Sequence, residues 1–179
     1  MHPNTKLQIH CKTKQMELVI DSRETKILQI IETNPQLLSS YKYKKEYLDL
    51  ADFILSDASG HSLFFERKTW ADLAGSLTDG RFREQRSRLL QQRESSAAEK
   101  IKVCYIIEGL YREDYKREKH AVTRLQFVYS IPVFYSQSLM NTIEILREFL
   151  EKEEKWVNLH KLKGPQYKKC ALAFSFQYF

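Results

Sequence analysis

Apolar positions recur along the chain with strand-like and helix-like spacings in turn. Short apolar or alternating runs predict strands at Glu17–Asp21, Tyr47–Leu55, His61–Lys68, Lys102–Glu108 and Ile131–Tyr135. Apolar residues three and four positions apart predict helices at Thr25–Thr33, from Thr69, at Arg81–Arg93, at Val122–Tyr129 and at Leu139–Glu153. Strands that alternate with helices are typical of an α/β protein, so we expect helices around a mixed sheet.

The two ends of the chain fit this pattern less well. Residues 1–15 are polar, and we expect a flexible N-terminal segment there. The predicted domain occupies 16–155. The remainder, 156–179, combines lysines with an apolar run and is interrupted by Gly164 and Pro165. A last strand, a dimer contact and the start of a further region are all open readings of it.

Composition narrows the class of protein. With 179 residues, 42% apolar and 29% charged, the chain has the size and mix of one globular domain. No apolar stretch is long enough for a bilayer, and the start does not read as a signal peptide. The three cysteines, Cys11, Cys104 and Cys170, are too scattered for a disulfide framework. We therefore expect an intracellular protein of the nucleus or cytoplasm, with no membrane partner.

The net charge of +6 favours an anionic partner such as nucleic acid. The excess is concentrated in two places. One short segment holds Arg81, Arg83, Arg86, Arg88 and Arg93, and the tail holds Lys161, Lys163, Lys168 and Lys169. A solvated surface is the alternative explanation, because many basic proteins bind no nucleic acid.

Charged residues occupy the end of an apolar strand. Because side chains alternate along a strand, Glu66 and Lys68 share a face with Phe64, whereas Arg67 points to the opposite face. Charge on an apolar face is costly unless it is paired or binds a metal. This cluster therefore indicates a catalytic site.

Two further carboxylates have comparable places. Asp52 interrupts the apolar stripe of the second predicted strand, and Asp21 ends the first. Asp52, thirteen intervening residues and Glu66-x-Lys68 match the D…(D/E)xK arrangement of metal-dependent nucleases. Adjacent strands would bring these carboxylates together around a hard divalent cation, Mg²⁺ or Mn²⁺ in its place. Lys68 would stabilise the transition state or orient the attacking water.

Other nearby residues have structural explanations. Thr69 and Asp72 have the spacing of a capping box, so Asp72 is at least as well explained as a helix cap as by a catalytic role. Trp70 and the tyrosines are assigned to packing rather than to stacking on nucleic-acid bases.

Longer blocks of sequence add specificity. They follow one another as Val19 to Glu24 around Asp21, then Ala51-Asp52, then Glu66-Arg67-Lys68 with Asp72, then Ser76 to Gln85. In this order they resemble the nuclease domain of the XPF-type structure-specific endonucleases. The amino-acid sequence of 76–85 is most similar to that of the crossover-junction (Mus-type) branch. The resemblance extends from about Glu17 to Glu153 and implies a restriction-endonuclease-like fold, with a mixed central sheet flanked by helices.

The resemblance also implies roles for the matching residues. Asp52 and Glu66 would be the principal metal ligands, the Arg67 carbonyl a third, and Asp21 a nearby ligand, acting directly or through water. Lys68 would be the catalytic lysine, and Arg67 would position the site or contact the scissile phosphate.

A second group would contact DNA or support the site. Arg81, Gln85, Arg83 and Arg23 would bind DNA, with a solvated surface as the alternative for Arg83. Glu24 and Asp72 would have secondary or structural roles.

Two departures from the family pattern stand out. Ala51 occupies a position where the family usually has glycine, which matters only if the backbone φ is positive there or a ligand approaches closely. The helix-hairpin-helix module that usually follows the nuclease domain does not fit into 156–179.

The implied function is a Mg²⁺-dependent endonuclease of DNA repair and recombination. It would hydrolyse phosphodiester bonds in branched DNA, such as flaps, forks or junctions, by water that the metal activates. The resemblance also implies a homodimer or heterodimer through the nuclease domain. One alternative is a non-catalytic subunit that binds DNA or a dimer partner. Another is a phosphodiesterase of looser specificity that acts on single strands or small nucleotides.

Overall fold

A six-stranded sheet runs through the part of the protein that the computed structural model describes, residues 16–96 and 100–152. In chain order its strands are β1 (Glu17–Asp21), β2 (Lys42–Glu46), β3 (Phe53–Ser56), β4 (Ser62–Thr69), β5 (Ile101–Glu108) and β6 (Val133–Ser136). They lie side by side in the order β2-β1-β3-β4-β5-β6. The predicted N-terminal segment 1–15, the end of the predicted domain at 153–155 and the tail 156–179 lie outside the described residues.

The sheet is mixed, as predicted. β1 and β2 are parallel, as are β4 with β5 and β5 with β6, whereas β3 is antiparallel to both of its neighbours. A tight turn joins β3 to β4, and in it the Asp57 carboxylate accepts hydrogen bonds from the backbone N–H groups of Ser59 and His61 at 2.7 and 2.9 Å. This hairpin places the end of β4 beside the start of β3.

Helices cover both faces of the sheet. They are α1 (Thr25–Thr33), α2 (Trp70–Asp79), α3 (Arg81–Ser95), α4 (Lys116–Phe127) and α5 (Leu139–Glu151). Because side chains alternate along β4, Phe65 packs into a core with α1 and α5, and Phe64 packs into a second core with α2, α3 and α4. These two cores confirm the predicted α/β sandwich. Within the described ranges no helix has the length and apolar character needed to cross a membrane.

The strand predicted at Tyr47–Leu55 is wrong in its first part. β2 ends at Glu46, β3 begins at Phe53, and the residues between them form a connection. β2 was not predicted from the sequence, because it is exposed along its whole length and shows no apolar alternation. Within the connection Ala51 has φ 67°, and this left-handed conformation ends any extended run. Asp52 therefore precedes β3 instead of lying within an apolar stripe.

The helix predicted at Val122–Tyr129 begins earlier than its apolar pattern indicates. α4 starts at Lys116 and ends at Phe127. Its first turns are polar, and the apolar side chains that it buries, Val122 and Leu125, lie in its second half. Periodicity therefore predicts only the part of the helix that packs against the core.

Candidate active site

Asp52 and Glu66 face one small cleft at the end of the sheet. The backbone N–H of Asp52 donates to the Phe65 carbonyl at 2.9 Å, which continues the β3–β4 ladder and holds Asp52 beside Glu66. The cleft has a volume of about 120 Å³. Its lining consists of Arg23, Asp49, Leu50, Ala51, Asp52, Glu66, Gln85 and Arg88. Two carboxylates that are far apart in the sequence thus share one pocket, as predicted.

Burial makes this pair of carboxylates costly to ionise. Burial, followed by repulsion from Asp52, raises the pKa of Glu66 to about 7. Burial also raises the pKa of Asp52, although the Arg67 backbone N–H, which donates to Asp52 Oδ2 at 2.7 Å, acts in the opposite direction. Lys68 is itself buried and donates to Glu66 Oε1 at 3.2 Å. The two carboxylates that line the cleft, with the Lys68 ammonium next to Glu66, therefore lie in surroundings that disfavour negative charge.

Asp21 lies at the end of β1 but is turned to an arginine. Its carboxylate, fully buried, accepts from the Arg23 backbone N–H at 2.8 Å and from Arg23 Nε and Nη2. Although burial acts to raise it, these hydrogen bonds lower the pKa of Asp21. The backbone N–H of Asp21 donates to the Asp52 carbonyl at 2.9 Å. Asp21 thus adjoins the cleft through its backbone, with its side chain already satisfied by Arg23.

Arg67 points away from the cleft, as strand alternation predicts. It donates through Nε and Nη2 to Glu108 at 2.9 and 2.8 Å, and through Nη1 to Glu24 at 3.1 Å. Its side chain is only 14% exposed. Because its guanidinium is held between two carboxylates, Arg67 acts on the cleft through its backbone N–H to Asp52.

Glu108 and Thr142, which hold the Arg67 side chain in place, were not predicted from the sequence. The Glu108 carboxylate also accepts from the Thr142 hydroxyl at 2.7 Å, and Thr142 is fully buried at the start of α5. Burial tends to raise the pKa of Glu108, but hydrogen bonds from Arg67 and Thr142 outweigh it and lower that pKa. A signal was present, because Glu108 is a charged residue at the end of a buried strand, but its partners lie 41 and 34 residues away in the sequence.

Ala51 adopts the conformation in which glycine is favoured. Its φ of 67° is in the left-handed region, where an L side chain costs about 1–2 kcal/mol. Ala51 is buried and lines the cleft immediately before Asp52. The alanine that departs from the family pattern is therefore strained next to a candidate ligand.

Asp72 caps α2, one of the two roles considered for it. The Thr69 hydroxyl accepts from the Asp72 backbone N–H at 3.0 Å and donates to Asp72 Oδ2 at 2.7 Å. The carboxylate is thus engaged at the helix N-terminus, and Asp72 is not among the residues that line the cleft.

The first turns of α3 supply the wall of the cleft opposite the sheet. Gln85 and Arg88 both line it, and Arg88 Nη2 donates to the Asp49 carbonyl at 2.9 Å. Arg81 lies one turn before Gln85 and pairs with Asp79 at 2.7 Å while remaining exposed. Arg83 is exposed as well, on α3 outside the cleft lining. Of these residues, Arg88 was not predicted to belong to the site.

The donor set fits a hard divalent cation with two protein carboxylates. Among residues 16–96 and 100–152 there is no cluster of three Asp, Glu, His or Cys side chains placed to hold an ion. Asp52 and Glu66 remain, and a cation between them would offset the repulsion that raises the pKa of Glu66. Mg²⁺ commonly binds through one or two carboxylates and keeps several waters, so the pair suits it. Asp21 fits only as a supporting group.

Comparisons with known proteins agree with this architecture. The chain is similar to two solved structures, XPF from Aeropyrum pernix in complex with DNA and XPF from Aeropyrum pernix. To the first it is 26% identical, with a TM-score of 0.59, 78% of this chain and 65% of the other being covered. To the second it is 27% identical, with a TM-score of 0.59 and coverages of 75% and 60%. The chain thus spans less than two thirds of either structure's length.

The family itself is defined by a separate match. No curated protein gives a significant match to the chain. The family model of the ERCC4 domain matches residues 20–149. This range runs from the last two residues of β1 through most of α5 and contains every residue that lines the cleft. The chain belongs to the ERCC4 domain family.

Proposed function

We propose that this protein is a metal-dependent endonuclease that hydrolyses phosphodiester bonds in branched DNA. The observation that carries the proposal is a pair of carboxylates, the partly buried Asp52 and the buried Glu66, in a cleft lined also by arginines, with the buried Lys68 in contact with Glu66. Membership of the ERCC4 domain family supports the nuclease assignment. The similar XPF structure in complex with DNA supports DNA as the partner.

The charged residues at the cleft have separate roles in this proposal. Asp52 and Glu66 would hold the ion, Mg²⁺ or Mn²⁺, and the Arg67 backbone N–H fixes the Asp52 carboxylate by donating to Oδ2. When bound, the ion supplies a lowered pKa for a coordinated water and neutralises charge on the phosphate. Lys68 donates to Glu66 at 3.2 Å and is therefore next to a candidate metal ligand. From there it would stabilise the negative charge that develops on the phosphate in the transition state.

Arginines and an amide at the mouth of the cleft suit a phosphate backbone. Arg23, Gln85 and Arg88 line it, and Arg81 is exposed one turn away along α3. Guanidinium groups bind phosphate oxygens through paired hydrogen bonds. The N-terminus of α3 adds favourable electrostatics for an anion. We therefore assign this wall to the strand that carries the scissile phosphate.

A substrate panel tests the function. The wild-type protein should cleave a labelled flap, with Mg²⁺ present, faster than plain duplex, single strands or dinucleotides. Asp52→Ala and Glu66→Ala should each abolish cleavage, whereas Asp114→Asn, the loss of an exposed carboxylate, should leave it unchanged. Unaltered metal-dependent cleavage by both cleft variants would overturn the site assignment. Equal rates on all substrates would leave a phosphodiesterase of looser specificity, and no cleavage at all would leave a non-catalytic subunit.

We also propose that the protein forms a dimer through the edge of the sheet at β6. Exposed apolar side chains are concentrated on or next to this edge strand and its neighbouring helices, namely Leu110, Tyr111, Phe127, Val128, Tyr135 and Met140. A Phe127→Glu variant should sediment as a monomer if this edge is an interface. An unchanged sedimentation coefficient would contradict this placement of the interface.

A further inference from the structure

An aromatic side chain stands exposed beside the cleft. Tyr47 follows β2 in the connection that leads to Asp52, and it is 67% exposed. This differs from the prediction that the tyrosines serve packing, and also from Trp70, which is 4% exposed. A large ring left in solvent next to a polar cleft is not explained by the core.

Tyr47 is coupled to the cleft through Arg23. The Arg23 guanidinium lies over the Tyr47 ring, 5.0 Å from its centroid, and Arg23 also lines the cleft. The guanidinium is held on its other sides, since Nε donates to Asp21 at 2.9 Å and Nη2 to the Leu48 carbonyl at 2.7 Å. The ring and the arginine therefore form one fixed unit at the mouth of the cleft.

The connection that carries Tyr47 is tethered at several points. Arg23 binds the Leu48 carbonyl, Arg88 binds the Asp49 carbonyl at 2.9 Å, and the Asp52 carbonyl accepts from the Asp21 N–H at 2.9 Å. Few backbone positions between the ring and the candidate metal ligand are thus free to move. A ring held in this way loses little conformational entropy when a flat partner stacks on it.

The chemistry of this unit selects one kind of partner. An exposed aromatic ring beside arginines is the combination that proteins use to bind single-stranded nucleic acid, with bases on the ring and phosphates on the cations. A paired base inside a duplex already has both faces stacked, so it cannot use the ring. A base that lacks a partner strand, as next to a branch point, can.

We propose that Tyr47 is a stacking platform for an unpaired base of the strand whose phosphate enters the cleft. This contact rests on the proposed function and gives it a physical basis for preferring DNA that is unpaired next to the cut. Tyr43 offers a matched control because it is also exposed, at 41%, but pairs in register with Leu18 and so lies on the opposite face of the sheet from Asp21.

The test measures binding without cleavage. A flap that carries 2-aminopurine at the unpaired position next to the branch, and a fully paired duplex with the same label, are titrated in EDTA. For the wild-type protein and Tyr47→Phe, the 2-aminopurine fluorescence of the flap should change on binding. Tyr47→Ala should lose this change and bind the flap about 10-fold more weakly. Its affinity for the duplex, and both affinities of Tyr43→Ala, should equal those of the wild type.

The outcomes separate this proposal from the nuclease assignment. If Tyr47→Ala keeps the fluorescence change and the flap affinity, the platform is overturned whether or not the protein cleaves DNA. An equal loss of affinity for flap and duplex overturns the selective role. If the wild type cleaves nothing but its flap signal depends on Tyr47, the nuclease assignment fails and the platform stands.

Discussion

Two clusters on opposite faces of β4 have the same formal charge and behave differently. On one face Asp52 and Glu66 share Lys68, and on the other Glu24 and Glu108 share Arg67. Arg67 donates paired hydrogen bonds of 2.8 and 2.9 Å to Glu108. These bonds help lower the pKa of Glu108, although burial acts to raise it. Lys68 gives Glu66 one contact of 3.2 Å, and burial with repulsion from Asp52 raises the pKa of Glu66 to about 7.

The difference lies in hydrogen-bonding geometry rather than in charge. A planar guanidinium matches a carboxylate with two parallel donors, which an ammonium cannot do. Arg67 ties β4 to the start of α1 and the end of β5, although burial raises the pKa of Glu24 in spite of this contact. The Lys68 cluster still has carboxylate oxygens available to a cation. Neighbouring residues of one strand thus provide an anchor on one face and a candidate active site on the other.

The largest effect should follow from removing the positive charge of Lys68. Lys68→Met should reduce the rate of flap cleavage by about 100-fold or more, because one charge near the reacting phosphate is lost. The chain should remain folded by circular dichroism. Cleavage at the wild-type rate would show that Lys68 only neutralises Glu66.

Breaking the contacts of Arg67 on the other face should mainly reduce the stability of the fold. Glu108→Ala leaves the partly buried Arg67 guanidinium with Glu24 alone and should lower the free energy of unfolding by about 2–3 kcal/mol. Urea denaturation measures this. Glu113→Ala, at an exposed site, should change it by less than about 0.5 kcal/mol. Equal effects of the two variants would contradict the anchor role.

The pH dependence of stability should distinguish the faces as well. Because the pKa of Glu66 is raised to about 7 in the folded protein, its proton stays bound up to about pH 7, whereas the unfolded chain releases it near the ordinary pKa of 4.5. Ionisation of Glu66 therefore lowers the free energy of unfolding as pH rises from 4.5 to 7, by about 2–3 kcal/mol. In EDTA, Glu66→Gln should be more stable than the wild type at pH 8 and equal to it at pH 4. A difference that is independent of pH would show that Glu66 ionises normally.

The smallest effect concerns the backbone beside Asp52. Ala51→Gly relieves the positive φ and should raise the free energy of unfolding by about 0.5–1 kcal/mol, since the entropy of glycine offsets part of the gain. Ala74→Gly inside α2 should lower it by about 1 kcal/mol. A loss of stability in Ala51→Gly would mean that the left-handed conformation carries no strain.

The sequence predicted what depends on local pattern. β1, α1 and the cap at Thr69 follow from apolar spacing and from short polar contacts, and the structure has them where the pattern placed them. The strand that carries Glu66 and the hairpin that brings Asp52 to it were also predictable from the sequence, because the apolar run and the turn residues are local signals.

The rest depends on contacts between distant segments. β2 has no buried face and therefore no period to detect. Glu108 contacts Arg67 only because β4 and β5 pair, and this pairing cannot be predicted from local sequence. The positive φ of Ala51 and the exposure of Tyr47 result from the path of the connection between β2 and β3, which composition does not determine.

We propose that the Asp52–Glu66 pair, and not the Glu24–Glu108 pair, holds a divalent cation. Titration with Mn²⁺, followed by the electron paramagnetic resonance signal of the free ion, tests it directly. The wild type should bind Mn²⁺ in competition with Mg²⁺, Glu66→Gln should lose this binding, and Glu108→Gln should retain it. Equal Mn²⁺ binding by the wild type and Glu66→Gln would show that Glu66 is not a ligand of the ion.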